Sequence, residues 1–359
     1  MYLLLPFFPK ITYSRFKKAV NYFLNPDDIW TAEVSDLITA GWEENISAEF
    51  ISWKDNQTPE KLQAILDKEN IRAVKIDDEE YPKLLKEIKD PPFVLFVRGK
   101  IPSFTPRSLS VVGTRKHSTY AKIATEKIVT DLAQRGFVIV SGLALGIDAL
   151  AHEYALKAGG KTVAFLGSSV AQREIFPANN QKLAEEIISK GGAVISEYPP
   201  GFEPTLYSFP MRNRLIAGST PGTLIIEAPI GSGSLITAAN AKEYNRAVMC
   251  IPHPINSLFG IGGNLLLHQD AKLVLKAEDI LEIFNLNLAV KQTTKQTIMN
   301  FSPDEEKILN TMSTEPKNID SIIRESGLPS PQVSTIMVLL EMRGIIKNAG
   351  NMNFYKNIA

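Results

Sequence analysis

Two arginines separated by one asparagine, Arg212 and Arg214 around Asn213 in the stretch FPMRNRLIAG, stand in a chain of zero formal net charge. A guanidinium is a rigid fork of donors matched to phosphate or carboxylate. The pair therefore has two uses: gripping an anionic ligand, or stapling loops through a buried carboxylate such as Glu227. Three other stretches share this chemistry. VVGTRKHS sets Gly113, Thr114, Arg115 and Ser118 directly after an apolar run. Glycine lets a backbone approach a ligand closely, and the helix expected next turns free N–H groups and its positive dipole end toward an anion. VSGLALGIDALAH puts Ser141 and Gly142 in a turn, with Asp148 and His152 four residues apart on one helix face. EAPIGSGSLITAANA ends a strand at Glu227, and Ser232, Gly233 and Ser234 then offer hydroxyl and main-chain donors at the head of a helix. Each stretch alone is equally a solvated turn between strand and helix. Three in one segment, with the arginines nearby, predict a phosphate-bearing ligand.

The standard nucleotide fingerprints are missing. No Gly-x-Gly-x-x-Gly follows these strands, and no Gly-x-x-x-x-Gly-Lys-Ser/Thr occurs. His117, His152, His253 and His268 show no HExxH spacing, and Cys250 is the sole cysteine. No metal, cofactor or intrachain disulfide is expected, and a reducing cytoplasm suits the chain. No apolar run reaches the roughly 18 residues of a membrane span. Charge is uneven: residues 1–70 carry a net −4, residues 71–300 a net +5 and residues 301–359 a net −1. Anion binding is expected in the middle segment.

The elements that must position these residues follow from periodicity. Residues 1–70 read as short helices, with Phe16, Val20, Phe23 and Leu24 at helical spacing. From 71 to 285, seven short apolar runs (PFVLFVRG, SLSVVGTR, FVIVSG, KTVAFLGS, GAVISEYP, GTLIIEAP, AVMCIP) alternate with amphipathic helical stretches closing at glycine. That alternation predicts a doubly wound, Rossmann-like α/β domain with a mostly parallel sheet. Its ligands bind beyond the carboxyl ends of the strands, which is where the motif loops fall. Residues 286–300 lack a period and read as a linker. Residues 301–359 give three helical stretches, two opening on Ser-Pro, and a ribbon around Ala349-Gly350-Asn351: a winged helix.

Over 71–285 the chain resembles the DprA/Smf family of DNA-processing proteins. The resemblance is carried by VVGTRKHS, SGLALGIDALAHEYAL, IFPANNQKLAEEI, ISEYPPG, FPMRNRLIAG, EAPIGSGSLITAANA and GIGGNLLLHQDA, in the family's order. It implies a small helical SAM-like N-terminal domain, single-stranded DNA as ligand, a homodimer formed through the Rossmann-like domain, and loading of RecA recombinase onto the strand during transformation or recombination, with no catalytic residue. By motif position it implies DNA or phosphate contacts at Gly113, Thr114, Arg115, Ser118, Ser141, Gly142, Asn179, Lys182, Arg212, Asn213, Arg214, Ser232, Gly233 and Ser234, with Asp148, His152 and Glu227 as support.

The chain departs from the family's pattern at Leu145, where Arg is common, at Ala178, where Lys is frequent, at Phe176 in place of Tyr, and at His253 in place of Gly. Tyr198, Phe202, Tyr207, Phe209 and Phe259 are candidate stacking platforms for bases or core residues. The third C-terminal helix, SPQVSTIMVLLEMRG, has one Arg and one Glu, too little charge to read duplex DNA, so a protein-contact or packing role is expected. An enzyme remains the alternative: STPGTLIIEA faintly resembles the motif of nucleotide phosphoribohydrolases, in which Glu227 and Arg212 would be catalytic.

Overall fold

The computed structural model describes residues 1–104, 106–286, 301–350 and 352–356. Of the stretch expected as a linker, all but Leu286 lies outside the described residues. The chain divides into two compact units, residues 1–287 and 288–359.

The first unit opens with a 3-10 turn and five short helices: α1 (Tyr13–Tyr22), α2 (Asp28–Thr31), α3 (Val34–Thr39), α4 (Glu44–Asp55) and α5 (Pro59–Lys68). Their starts follow from local chemistry. Thr12 caps α1 through Arg15 N, and Thr58 caps α5 through Lys61 N with Pro59 in the first turn. These helices bury Leu5, Ile29, Leu37, Phe50 and Leu66 in a core shared with Phe93, with Phe96 and Val194 of the following sheet, and with Ile187 of a helix packed on that sheet.

The sheet is built in chain order from β1 (Arg72–Lys75), β2 (Val94–Gly99), β3 (Ser108–Val112), α6 (Thr119–Gln134), β4 (Val138–Ser141), α7 (Ile147–Lys157), β5 (Thr162–Phe165), α8 (Gln181–Ser189), β6 (Ala193–Ser196), α9 (Ser208–Ser219), β7 (Gly222–Ile225), α10 (Gly233–Glu243), β8 (Ala247–Cys250), α11 (Ile261–His268), β9 (Lys272–Leu273) and α12 (Ala277–Ile283). The spatial order is β1-β2-β6-β5-β4-β3-β7-β8-β9. From β6 to β9 all neighbours are parallel, and β2 joins β6 antiparallel. The seven apolar runs are β2 to β8. Periodicity does not reveal β1 and β9, because edge strands of mixed polarity or two residues carry no continuous apolar signal. Nor does it assign the Arg-Asn-Arg stretch, which is the helix α9, buried all along Leu215–Ser219 and so without an amphipathic period.

Successive strands run outward from β3 through β4 and β5 to β6, then outward on the other side through β7 and β8. The order reverses at β3, so a crevice opens beyond the carboxyl ends of β3, β4 and β7.

The second unit has α13 (Pro303–Thr311), β10 (Lys317–Asn318), α14 (Ile319–Ser326), α15 (Ser330–Met342), β11 (Ile346–Gly350) and β12 (Asn353–Lys356), its strands ordered β10-β12-β11. Ser302 and Glu305 form a reciprocal capping box on α13. Ile308, Ile322, Val333, Met337 and Leu340 fill its core. Among the described residues no helix is long and apolar enough to cross a membrane.

Candidate functional site

The loop after β3 is pinned by main-chain bonds. Thr114 N donates to Glu227 O at 2.8 Å, Ile147 N donates to Thr114 O at 3.2 Å, and the Thr114 hydroxyl accepts from Lys116 N at 3.2 Å. This turn lifts Arg115 and Lys116 into solvent. Neither side chain has a hydrogen-bond or ion-pair partner among the described residues, so both cations are free for a ligand.

The turn depends on Gly146, whose φ is +82°. A Cβ at this position would stand 2.4 Å from Thr114 O and 2.6 Å from Arg115 O. The sequence does not single Gly146 out. Its signal is a glycine immediately ahead of a helix, a common placement that gains meaning only from the loop packed against it.

Opposite this turn, Gly231–Ser234 leads into α10. Ser232 caps the helix and its hydroxyl lies 2.7 Å from that of Ser234. Asn213 on α9 ties this loop in place, its Nδ2 donating to Gly233 O at 3.2 Å while its Oδ1 accepts from Arg212 Nε at 3.1 Å.

The two loops and α9 enclose a cavity of about 350 Å³. Of the residues named from sequence, Gly113, Thr114, Arg115, Arg212, Asn213, Ser232, Gly233, Ser234 and Asp148 line it. Its polar lining combines the hydroxyls of Thr114, Ser232, Ser234 and Thr237 with Asn213, the exposed Arg115, the buried Arg212 and the buried Asp148 carboxylate. A smaller slot adjoins it, sharing Arg115 and Arg212 and bordered by Gly142, Leu145 and the exposed ring of Phe176.

The other named residues have different work. Ser118 gives its backbone N–H (2.8 Å) and its hydroxyl (2.7 Å) to the two oxygens of Glu227. That carboxylate is 1% exposed, so it must be hydrogen-bonded on both sides, and Ser118 has no donor left for a phosphate. Ser141 is buried and donates to Val111 O at 2.7 Å. Asn179 and Lys182 are exposed outside the cavity. The neighbouring Asn180 is the buried one, donating to Leu143 O at 2.8 Å and so holding a loop residue at φ +56°.

Neither arginine of the opening motif reaches Glu227. Arg212 is 4% exposed and its Nη1 donates to Gly142 O at 2.6 Å and to Phe165 O. Gly142 is glycine for this reason, since a Cβ would sit 2.6 Å from the guanidinium carbon. Burial lowers the Arg212 pKa to about 10, with the Asp148 charge opposing. Asp148, which accepts from Gly142 N at 3.1 Å, is pushed up by burial while Arg212 holds it down. Arg214 pairs instead with Glu197 at 2.5 Å. Arg212 is thus a staple joining the ends of β4 and β5 to α9.

His152 is fully buried, its Nδ1 2.6 Å from Thr162 Oγ1. The single Thr162 hydroxyl proton goes to Ile139 O, so Nδ1 carries the imidazole proton. Nε2 is left bare and unpartnered. Burial, then the Arg212 charge, depresses its pKa to about 3. Between this value and the ordinary 6.5, the unfolded chain takes up a proton that the fold refuses. Stability is therefore whole above pH 6.5 and falls with acidification by about 1.4 kcal/mol per pH unit. Urea titrations at pH 7 and pH 5 should differ by roughly 2 kcal/mol from this residue, and His152→Gln should remove that part of the difference.

His253, where the family's pattern has glycine, is buried with Nε2 2.8 Å from Ile226 O and its ring edge-on to Tyr120. It packs behind the β7 loop, outside the cavity.

The family model for DNA recombination-mediator protein A matches residues 72–285, and that for the DprA winged helix domain matches residues 292–350. The chain belongs to the DprA/Smf family. Protein Smf of Escherichia coli is 36% identical over 288 residues, covering 78% of this chain and 76% of its own. DNA processing protein DprA of Bacillus subtilis is 34% identical over 275 residues, 73% of this chain and 92% of its own. Among solved structures, DprA of Streptococcus pneumoniae superposes with a TM-score of 0.65 at 34% identity, covering 78% of this chain and 95% of its own. A Helicobacter pylori DNA processing protein A, described for its single-stranded DNA binding mode, gives 0.52 at 32% identity over 60% of this chain and 95% of its own.

In the enzyme alternative Glu227 and Arg212 would act as a pair; Arg212 lines the cavity, whereas Glu227 is buried and is not among its lining residues. Both oxygens of Glu227 accept from Ser118, and Arg212 Nη1 donates to the Gly142 and Phe165 carbonyls.

Proposed function

We propose that the chain binds single-stranded DNA at the cavity between the β3 and β7 loops, acting as a recombination mediator without catalysis of its own. One observation carries this reading: Arg115 stands exposed and unpaired at a cavity lined by the hydroxyls of Thr114, Ser232 and Ser234, whose one lining carboxylate, Asp148, is buried. Such donors hold a phosphodiester without reading sequence, and Arg115 supplies the charge. The single-strand binding described for the Helicobacter pylori relative supports the choice of ligand. Delivery of the strand to RecA and pairing of two copies through the Rossmann-like domain belong to the same proposal and rest on the family resemblance.

The winged helix is assigned a protein-contact or packing role. Helix α15 has no Lys or Arg within it, Arg343 just beyond pairs with Glu305 at 2.6 Å, and Val338, Leu339 and Met342 are exposed.

Fluorescence anisotropy of a labelled oligonucleotide, single-stranded and duplex, across a salt series tests the proposal. The single strand should bind tighter, with affinity falling steeply as salt rises. Arg115→Ala should weaken it about tenfold at low salt and reduce the salt slope by about one, with unchanged thermal stability. Equal binding of both DNAs, or an Arg115→Ala protein of full affinity, would sink this reading.

A further inference from the structure

A second cavity, of about 570 Å³, lies between the N-terminal helical segment and the carboxyl end of β6. Its walls are aromatic: Phe7, Phe8, Tyr13, Phe93, Tyr198 and Phe202. The Tyr198 and Phe202 rings are stacked in parallel, 4.0 Å between centroids and 9° between planes. The Arg214–Glu197 ion pair and Asp90 interrupt the wall. Nε and Nη1 of Arg214 and Oε1 of Glu197 are buried with no hydrogen-bond partner, so the pair keeps bonding capacity that the fold leaves unused.

Helix α9 connects this cavity to the first. Phe209, Pro210, Arg212 and Asn213 line the phosphate-type cavity, while Met211 and Arg214, three residues apart and so on one adjacent face, line the second. A strand that leaves the first cavity across the start of α9 arrives at the second. Charge decides which part of it enters. Asp90 borders the second cavity, Arg214 offsets the charge of Glu197 there, and the helical segment above it is net negative, which disfavours phosphate and leaves a neutral planar group as the fitting occupant.

We propose that this second cavity binds a nucleobase of the same single strand, stacked on the Tyr198–Phe202 platform with its polar edge toward Arg214 and Glu197. The proposal rests on the single-strand reading of the first cavity and extends its footprint from backbone to base.

The test is an oligothymidylate carrying 2-aminopurine at successive positions, titrated with wild type, Phe202→Leu, Ser14→Trp and Arg115→Ala. Ser14 is an exposed residue on the rim, so Ser14→Trp blocks the cavity even if Phe202→Leu disturbs the fold. Wild type should quench the probe at one position beyond the phosphate-bound stretch. Phe202→Leu and Ser14→Trp should relieve that quenching and weaken oligonucleotides long enough to span both cavities about fivefold, leaving shorter ones unchanged. Arg115→Ala should weaken all lengths alike. Binding by wild type with a quenching profile and affinities that neither cavity variant alters overturns the base site alone, the cavity then being one for a protein segment. A wild type that binds no single strand overturns the first reading and this one together.

Discussion

Replacing Arg212 by Met is expected to destabilise the first unit by on the order of 3–5 kcal/mol, seen as a drop of roughly 10 °C in thermal midpoint. The guanidinium is 4% exposed, donates to Gly142 O and Phe165 O, and offsets the charge of Asp148. Its removal leaves two carbonyls unpaired in the interior and a buried carboxylate without its counter-charge. The carbonyls end neighbouring strands, β4 and β5, so the loss falls on the crevice itself. DNA affinity should fall with stability, both recovering together at low temperature. Were Arg212 a ligand contact instead, Arg212→Met would lose affinity with its melting curve unmoved. Differential scanning fluorimetry beside anisotropy separates the two outcomes.

Gly146→Ala should be nearly as severe, costing about 2–3 kcal/mol and displacing the Thr114–Arg115 turn. A φ of +82° with a strongly negative ψ is open to glycine and costly to alanine. The new methyl would also press on two backbone oxygens, which have no rotamer by which to retreat. The turn must move, and the bond from Ile147 N to Thr114 O is the contact that breaks. Affinity for single-stranded DNA is expected to drop by at least the factor seen for Arg115→Ala, since the same cation is carried out of place. A Gly146→Ala protein with wild-type melting and binding would show that the loop position does not matter to the ligand.

Both predictions turn on distinctions the sequence does not contain. Arg115, Arg212 and Arg214 are the same residue type within one motif-rich segment, and motif position makes all three phosphate contacts. In the fold, Arg115 is exposed and unpaired, Arg212 staples carbonyls 47 and 70 residues away in sequence, and Arg214 pairs with Glu197, 17 residues away. Asn179 and Asn180 are adjacent, and the local path of the backbone decides which one is buried against Leu143. Partner choice among identical side chains is a long-range property, set when distant strand ends meet, and no local period encodes it.

What the sequence determined by itself was the architecture and the family. Seven apolar runs, each followed by a Gly-, Ser- or Pro-bearing turn and most by a helix, are a repeated local signal, because a strand buried on both faces must be continuously apolar. The motif loops could be placed at the strand ends for the same reason, and most of them do wall one cavity. Tertiary structure alone decided which loop groups remain available to a ligand. Burial consumes most polar atoms within the fold, and Ser118, Ser141, Arg212 Nη1 and Glu227 were taken that way. Arg115 and Lys116 were left exposed, and the proposed single-strand site is built on the first of them.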